Sequence, residues 1–183
     1  MKVIFVRHGE TDSNVKNIMQ GAGMNTPLNA KGIQQAKELA KKAKNLGIEK
    51  IYSSTLTRAI QTATLTAAEC GLDVEPIDGV EEFHYGEVEG MYVPDAVKKY
   101  GIDKVLFNET DASLYDECLP GGETINQCIA RVVATLQKIK KENEGRCERI
   151  AVFSHGAVMC ILYYYFFKIH HGIENCEWFE VEV

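Results

Sequence analysis

The sequence places an arginine and a histidine directly after its first apolar segment. Residues 2–6 read Lys-Val-Ile-Phe-Val, and Arg7 and His8 follow at once. The β-branched and aromatic residues predict a buried strand, and ligands of open α/β sheets bind at the carboxyl ends of the strands. At such an end an imidazole can attack phosphorus and carry a phosphoryl group, while a guanidinium offers a planar fork of donors to the phosphate oxygens. Taken alone, Arg-His-Gly also fits a capping histidine beside a surface arginine.

A second histidine occupies the same kind of position near the end of the sequence. Residues 150–153 predict another buried strand, and His155 lies in the turn that follows. Arg58 lies in the first turn of a predicted helix that comes after a short strand over residues 50–53. Taken singly, it also fits an exposed helix arginine. Because parallel strands end at one edge of a sheet, these groups would join the first pair in a compact cationic pocket.

A run of acidic residues supplies a candidate for proton transfer. Four carboxylates fall within residues 81–89, where glycines and aromatic residues separate them. Such a run is usually a solvated loop. A carboxyl beside an apolar side chain, as Glu82 is beside Phe83, is nevertheless the kind that can donate a proton near neutral pH. Glu82 is therefore a candidate general acid.

Strand and helix patterns alternate along the chain. Apolar residues at helical spacing from Ile33 to Leu46 predict a helix with Asn29 as its cap. Ser53 and Ser54 would supply the capping hydroxyls of the next helix. This alternation predicts an α/β fold, a three-layer α/β/α sandwich with a mostly parallel central sheet.

Further segments extend the predicted sandwich. Residues 91–120 are hard to interpret, apart from a short helix and a turn at residues 120–122. The predicted elements are an edge strand over residues 73–77, a short helix over 95–100, a long helix from 123 to about 143, a helix over 157–167 and an edge strand over 178–183.

Composition and charge limit the possible function classes. The 183 residues predict a single domain, residues 1–183, with one sizeable core. A net charge of −6 argues against nucleic acid and against an anionic membrane as partners. Six cysteines without a CxxC pair fit neither a zinc site nor a redox motif, so buried, reduced thiols in a cytoplasmic protein are expected.

Other absences in the sequence point the same way. No cluster of metal ligands is visible, and neither a metal nor a cofactor is predicted. No signal peptide is expected before the first strand. The longest apolar run, residues 157–167, is too short to span a membrane and predicts a core helix. The sequence makes no prediction of oligomeric state.

Five motifs occur in a fixed order between residues 2 and about 165. They are Arg7-His8-Gly9-Glu10-Thr11 with Asn14, Ser53-Ser54-x-Leu56-x-Arg58-Ala59-x-Gln61-Thr62-Ala63, Glu82-x-x-Tyr85-Gly86-x-x-Glu89-Gly90, Pro120-Gly121-Gly122-Glu123 and Ser154-His155-Gly156. Together they resemble the histidine phosphatase family, also called the phosphoglycerate-mutase-like family. The resemblance implies a phosphoglycerate-mutase-like fold, consistent with the predicted sandwich.

The resemblance also implies roles for particular residues. His8 would be the nucleophile that becomes phosphohistidine. Glu82 would protonate the leaving oxygen and then take a proton from the hydrolytic water. Four side chains would hold the phosphoryl oxygens, namely Arg7, Asn14, Arg58 and His155. These roles agree with the chemistry of phosphoryl transfer, because hydrogen-bond donors held in place stabilise the negative charge of the transferring phosphoryl group.

Within this family, the sequence carries features of both mutases and phosphatases. Residues 84–86 and 97–101 resemble cofactor-dependent mutases more than small phosphatases. Mutases of the family carry an arginine pair shortly after the second stretch, and this chain has Glu109 and Thr110 there. Glu109 and Thr110 could not bind the second anionic group of a phosphoglycerate.

Three other departures from the mutase pattern concern the pocket. The residue after Glu82 is Phe83, where mutases have arginine. The segment of residues 91–120 is short and should admit water to a phosphohistidine. Residues 21–25 differ from the family's usual Gly-Trp and acidic residue, which leaves the identity of the substrate open.

We therefore expect a phosphatase that hydrolyses small phosphomonoesters, with a small phosphorylated metabolite as its partner. A cofactor-dependent phosphoglycerate mutase is the alternative. A non-catalytic protein that binds phosphorylated ligands is the third reading, which the full set of site residues disfavours.

Overall fold

A computed structural model describes residues 1–106 and 116–183 of the protein. Its centre is a five-stranded sheet with the strand order β3-β2-β4-β1-β5. The strands are β1 (Lys2–Arg7), β2 (Lys50–Ser53), β3 (Val74–Pro76), β4 (Arg149–Ser154) and β5 (Trp178–Glu182). Only β5 runs antiparallel, against β1, and the other pairs are parallel. The mostly parallel sheet and both predicted edge strands are confirmed.

Helices connect the strands. They are α1 (Asp12–Val15), α2 (Ala30–Ala43), α3 (Thr57–Cys70), α4 (Val93–Tyr100), α5 (Ile102–Leu106), α6 (Ile125–Asn143) and α7 (Gly156–Phe167), with one 3-10 turn over Gly86–Val88. The short helix predicted over residues 95–100 is α4, and it ends at Gly101 as expected. Glu109 and Thr110, where the mutase arginines would stand, lie outside the described residues.

The two faces of the sheet carry separate cores, because successive side chains of a strand point to opposite faces. Val3 and Phe5 of β1 belong to the larger core, which includes buried residues of α6 and α7. Ile4 and Val6 belong to the other core, which includes buried residues of α2 and α3. Helices thus cover both faces, and the predicted three-layer α/β/α sandwich is confirmed.

The predicted helix starts are partly right. Asn29 caps α2, and its side chain accepts a hydrogen bond from the Gly32 N–H. The prediction for α3 is wrong, because the cap residue is Leu56 and no side chain caps this helix. Ser54 instead accepts from the Leu56 N–H at 3.3 Å and braces the turn before the helix. Ile33 was assigned to the apolar face of α2, but it is 39% exposed.

The strand order decides where the chemical groups meet. β2, β4 and β1 are neighbours and run in one direction, so their carboxyl ends lie side by side. His8 follows β1, His155 follows β4, and Arg58 lies in the first turn of the helix after β2. Residues 157–167 belong to α7, a core helix, and none of the helices in the described part of the chain is long and apolar enough to cross a membrane.

Candidate active site

The predicted pocket is a cleft at the carboxyl edge of the sheet. It has a volume of about 620 Å³, and its lining includes Arg7, His8, Asn14 and Glu82. Arg58 and His155 are fully buried beside it. The structure therefore brings together every residue that the sequence predicted for the site.

The hydrogen bonds of His8 define one tautomer of its ring. Nδ1 lies 2.7 Å from the carbonyl oxygen of Gly9, which can only accept, so Nδ1 carries the proton. Nε2 lies 3.2 Å from Nε of Arg58, which can only donate, so Nε2 is the acceptor. The lone pair of a neutral imidazole is thus held on Nε2.

The surroundings of His8 keep its ring neutral. The side chain is 1% exposed. Burial lowers the pKa of His8 well below its ordinary value, and the positive charges of Arg58 and Arg7 lower it further, while the hydrogen bond to Gly9 opposes them. An uncharged imidazole is the form that can act as a nucleophile.

Arg58 is fixed by two backbone carbonyls in addition to His8. Its Nη1 donates to the Met24 oxygen at 2.7 Å, and its Nη2 donates to the Gly21 oxygen at 2.9 Å. Burial lowers the pKa of the guanidinium, an effect that the negative charge of Glu82 opposes. Arg58 is thus a cation held in place beside Nε2 of His8.

The loop that holds Arg58 contains the stretch that departs from the family pattern. The Glu89 carboxylate accepts hydrogen bonds from the Gly23 N–H at 3.0 Å and from the Tyr85 N–H at 3.0 Å. A Cβ atom added to Gly21 or to Gly23 would lie 2.0 Å from a Glu89 carboxylate oxygen. Glycines at both positions therefore let the loop close on Glu89 and present its carbonyls to Arg58.

His155 is oriented by a residue that sequence reasoning assigned to another task. Its Nε2 lies 2.8 Å from Oγ of Ser54, the residue predicted to cap α3. Its Nδ1 is buried and has no hydrogen-bond partner among the residues that the structure describes. Burial lowers the pKa of His155 well below its ordinary value, and the charge of Arg58 adds to this effect. Nδ1 of His155 is therefore available to bind a ligand close to His8, since the centroids of the two rings lie 5.2 Å apart.

Arg7 also has an unused polar atom. Its Nη1 donates to the backbone oxygen of Ile173, while its Nε is buried without a partner in residues 1–106 and 116–183. The guanidinium packs closely on Gly156 at the start of α7, where an added Cβ would lie 3.1 Å from both Cζ and Nε of Arg7. Buried donors without partners are rare in proteins, and a bound phosphate would satisfy both this atom and the free nitrogen of His155.

The carboxylate of Glu82 lies at the amino terminus of α7. It accepts from the Val158 N–H at 3.2 Å and from the Ala157 N–H at 3.4 Å, and also from the Phe83 N–H at 2.9 Å. The cap residue of α7, His155, makes no capping bond of its own. Glu82 therefore caps this helix from a distant segment, which fixes the carboxylate beside the cleft.

Arg131 on α6 secures the segment that carries Glu82, a contact that the sequence did not predict. It donates to three backbone oxygens, those of Gly79, Glu81 and Glu82, at 3.0–3.2 Å. It also forms a bidentate pair with Glu123, at 2.7 and 2.9 Å. The glutamate segment is thus tied to a long helix of the core.

Asn14 and Thr62 support the loop after β1. Oδ1 of Asn14 accepts from the backbone N–H and the hydroxyl of Thr11, so its amide group stands at the cleft wall in a fixed orientation. The Thr62 hydroxyl accepts from the Gly9 N–H at 3.1 Å and donates to the Arg58 oxygen at 2.8 Å. Thr62 lies within one of the motifs, but its spacing from Gly9 in the sequence gave no sign of the contact.

The segment after α7 holds the nucleophile strand from its other side. The Asn175 side chain donates to the His8 oxygen at 3.0 Å, and the Cys176 N–H donates to the Arg7 oxygen at 3.2 Å.

In the described part of the chain, no group of three or more histidine, cysteine or acidic side chains could hold a metal ion.

The chain is similar in sequence to proteins of one family. The chain is 36% identical over 164 residues to the probable phosphoglycerate mutase GpmB of Enterobacter sp. (strain 638), covering 88% of this chain and 73% of the relative. It is 35% identical over 165 residues to phosphoglycerate mutase-like protein 4 of Arabidopsis thaliana, covering 88% of this chain and 69% of the relative.

Solved structures share the fold. A mycobacterial glucosyl-3-phosphoglycerate phosphatase in complex with VO3 gives a TM-score of 0.85 at 24% identity, covering 99% of this chain and 90% of that one. A mutant phosphoserine phosphatase from Entamoeba histolytica in complex with phosphoserine gives a TM-score of 0.75 at 27% identity. This match covers 98% of this chain and 89% of that one. The sequence profile of the histidine phosphatase superfamily (branch 1) matches residues 3–182. The chain therefore belongs to the histidine phosphatase superfamily.

Proposed function

We propose that this enzyme is a phosphoric monoester hydrolase that works through a phosphohistidine on His8. The observation that carries the proposal is the hydrogen bonding of the His8 ring, with its proton on Nδ1 and its lone pair on Nε2. A neutral imidazole held in this tautomer is ready to attack an electrophilic phosphorus. The names of the structural relatives, which include phosphatases, support the same reaction class.

In the first step, the lone pair of His8 Nε2 forms a bond to phosphorus. The bond between phosphorus and the alcohol oxygen breaks, and its electron pair stays on that oxygen. The carboxyl group of Glu82, which lines the same cleft, donates a proton to this oxygen. The product is a neutral alcohol, and the phosphoryl group remains on nitrogen.

The phosphoryl oxygens carry negative charge throughout this step. Arg58 stands at the attacking nitrogen, and the unpartnered atoms Nε of Arg7 and Nδ1 of His155 are available as further donors. Ser54 can donate its hydroxyl proton to Nε2 of His155, which leaves the ring proton on Nδ1 for a phosphoryl oxygen. Asn14 at the cleft wall would add an amide donor. Preplaced donors of this kind stabilise a phosphoryl transition state.

In the second step, water attacks phosphorus from the side of the departed alcohol. Glu82, now a carboxylate, takes one proton from the water as the new bond forms. The bond between phosphorus and nitrogen breaks, its electron pair returns to Nε2, and inorganic phosphate leaves. One carboxyl group thus serves as acid and then as base.

A mutase is the second candidate, because the relatives named above are called a phosphoglycerate mutase-like protein and a probable phosphoglycerate mutase. A mutase must return the phosphoryl group to a bound acceptor faster than water takes it. Among the described residues that line this cleft, Val15 is 65% exposed and Leu106 is 42% exposed, and access of water to the phosphohistidine would favour hydrolysis.

The test compares three proteins, namely the wild type, His8→Ala and the control His170→Ala. His170 is exposed and does not line the cleft. Phosphate release, an acid-labile phosphoenzyme and the isomerisation of 3-phosphoglycerate, with and without a bisphosphate primer, would each be measured. We expect release and phosphoenzyme in the wild type and the control but not in His8→Ala. Isomerisation that outpaces release would establish the mutase instead.

A further inference from the structure

Most of the cleft lies beyond the groups that would hold a phosphoryl group. Its volume of about 620 Å³ is in the range of sites for drug-sized ligands. Four aliphatic side chains line its outer part, and we call them the apolar wall: Val15, Ile18, Val93 and Leu106. The wall is therefore placed to contact the alcohol part of a substrate.

Backbone contacts hold three members of the apolar wall together. Val15 is the last residue of α1, and Ile18 pairs with Tyr92 in an isolated β-bridge. The Val93 N–H donates to the Asn17 oxygen at 2.9 Å, which joins the start of α4 to the segment after α1. The wall is thus part of the folded framework, although Val15 and Leu106 remain largely exposed to solvent.

The charges along the cleft oppose a second anionic group on the substrate. Among the described lining residues, Arg7 is the only lysine or arginine, and it belongs to the phosphoryl site. Glu10 and Glu174 also line the cleft. Lys31, which is not among the described lining residues, forms an ion pair with the Glu10 carboxylate at 2.8 Å. A substrate carboxylate would therefore meet the like charge of Glu174, and the described lining offers it no lysine or arginine besides Arg7.

The residues between α5 and Asp116 do not alter this balance of charge. By sequence, residues 107–115 include two acidic residues, Glu109 and Asp111, and no lysine, arginine or histidine. This part of the chain therefore supplies no cation from any position.

We propose that the enzyme prefers phosphomonoesters of uncharged, partly apolar alcohols over esters that carry a second anionic group. The proposal rests on the proposed phosphatase function and adds a substrate class to it. A hydrocarbon group would cover the apolar wall and leave water, and a neutral alcohol would avoid repulsion from Glu174.

The experiment compares three esters of primary alcohols, 2-phenylethyl phosphate, glycerol 3-phosphate and 3-phosphoglycerate. Glycerol 3-phosphate lacks the carboxylate and the hydrocarbon body, so it separates the effect of charge from that of the wall. We expect kcat/KM for 2-phenylethyl phosphate to exceed that for 3-phosphoglycerate by about tenfold or more, with glycerol 3-phosphate between them.

Val15→Lys tests the wall, because it removes an exposed aliphatic group and adds a cation at the cleft. The matched control is Ile33→Lys on α2, which adds the same charge at an exposed aliphatic residue outside the cleft lining. We expect Val15→Lys, but not the control, to reduce the preference for 2-phenylethyl phosphate over 3-phosphoglycerate by about fivefold or more. A similar change in both variants would overturn the role of the wall.

The outcomes separate this proposal from the phosphatase function. If an acid-labile phosphoenzyme forms but 3-phosphoglycerate is hydrolysed as well as 2-phenylethyl phosphate, the substrate class is wrong and the function stands. Equal values for glycerol 3-phosphate and 2-phenylethyl phosphate would overturn the apolar preference. If no ester gives a phosphoenzyme on His8, the proposed function itself fails.

Discussion

Nε of Arg58 lies 3.2 Å from Nε2 of His8, so a buried guanidinium donates to the nitrogen that would attack phosphorus. Two carbonyl oxygens hold the other end of the guanidinium, and the Thr62 hydroxyl accepts from the residue after His8. The contact therefore joins three segments that are distant in sequence. The position of Nε2 of His8 therefore depends on the planar guanidinium of Arg58.

Arg58→Lys should impair both activity and stability. A lysine ammonium cannot reach His8 and both carbonyls in one plane, so we expect kcat/KM to fall by about 10²-fold or more. A carbonyl that loses its buried donor should also cost about 1–3 kcal/mol in the free energy of unfolding. Phosphatase assays and urea unfolding measure the two effects. Arg146→Lys, at an exposed arginine, is the control, and equal behaviour of the two variants would contradict the prediction.

Ser54→Ala should weaken catalysis through His155. The variant removes the hydrogen bond to Nε2, so the ring loses the partner that sets its tautomer and orientation. We expect kcat/KM to fall by about tenfold, a typical cost for the loss of an orienting partner. Ser53→Ala is a close control, because the Ser53 hydroxyl is equally buried but bonds only to the Ser54 backbone oxygen. Equal kinetics in both variants would show that Ser54 does not act through His155.

Glu82→Gln should slow the hydrolysis of esters with poor leaving groups more than that of other esters. An amide cannot supply the proton, so we expect kcat for alkyl phosphates to fall by about 10²–10⁴-fold. For 4-nitrophenyl phosphate, whose leaving oxygen needs little protonation, the loss in the first step should be much smaller, and burst kinetics would show it. Glu81→Gln controls for the charge, since Glu81 bonds to the Gly79 N–H and ion-pairs with Arg131. An equal fall in kcat for all esters would contradict the role of Glu82 as general acid.

Stability should fall as the pH drops below neutrality. Burial and then the charge of Arg58 lower the folded-state pKa of both His8 and His155, whereas the unfolded chain has the ordinary pKa of about 6.5. Their contribution is complete above the unfolded pKa. It is lost as the pH falls from about 6.5 toward the folded pKa, because only the unfolded chain binds these protons. The loss is at most about 2.7 kcal/mol per pH unit for the pair.

Urea unfolding between pH 7.5 and pH 5 would measure this slope. Replacing either buried histidine by glutamine should reduce the slope, by up to about half. His170→Gln, at an exposed histidine, should leave it unchanged. An unchanged slope in His8→Gln and His155→Gln would show that these rings do not cause the pH dependence.

Local sequence patterns predicted the fold well, and with it the location of the site. Strands β1 and β4 read as continuous apolar runs because they are buried on both faces, and a histidine follows each of them. Two histidines at parallel strand ends could therefore be assigned to one edge before any contact was known. The capping residue Asn29 was also predicted correctly, since a cap depends only on its near neighbours along the chain.

The contacts that orient the site could not be predicted in this way. Ser54 fits a helix cap by its local sequence, but its hydroxyl bonds to His155, which is 101 residues away. Arg131 lies on a helix whose apolar periodicity gives no sign of its bonds to the segment around Glu82. Glu89 likewise belongs to an acidic run that resembles a solvated loop. Each of these roles depends on a partner that only the folded chain brings near.

The strand order also determines when the nucleophile can be assembled during protein synthesis. β1 is synthesised well before both of its neighbours in the sheet, β4 and β5, which come from residues 149–182. The segment that donates to the backbone of Arg7 and His8 belongs to the same late region. A nascent chain therefore carries His8 without these partners while residues 9–148 are being synthesised, and the surroundings of His8 can be completed only after β4 and β5 have emerged.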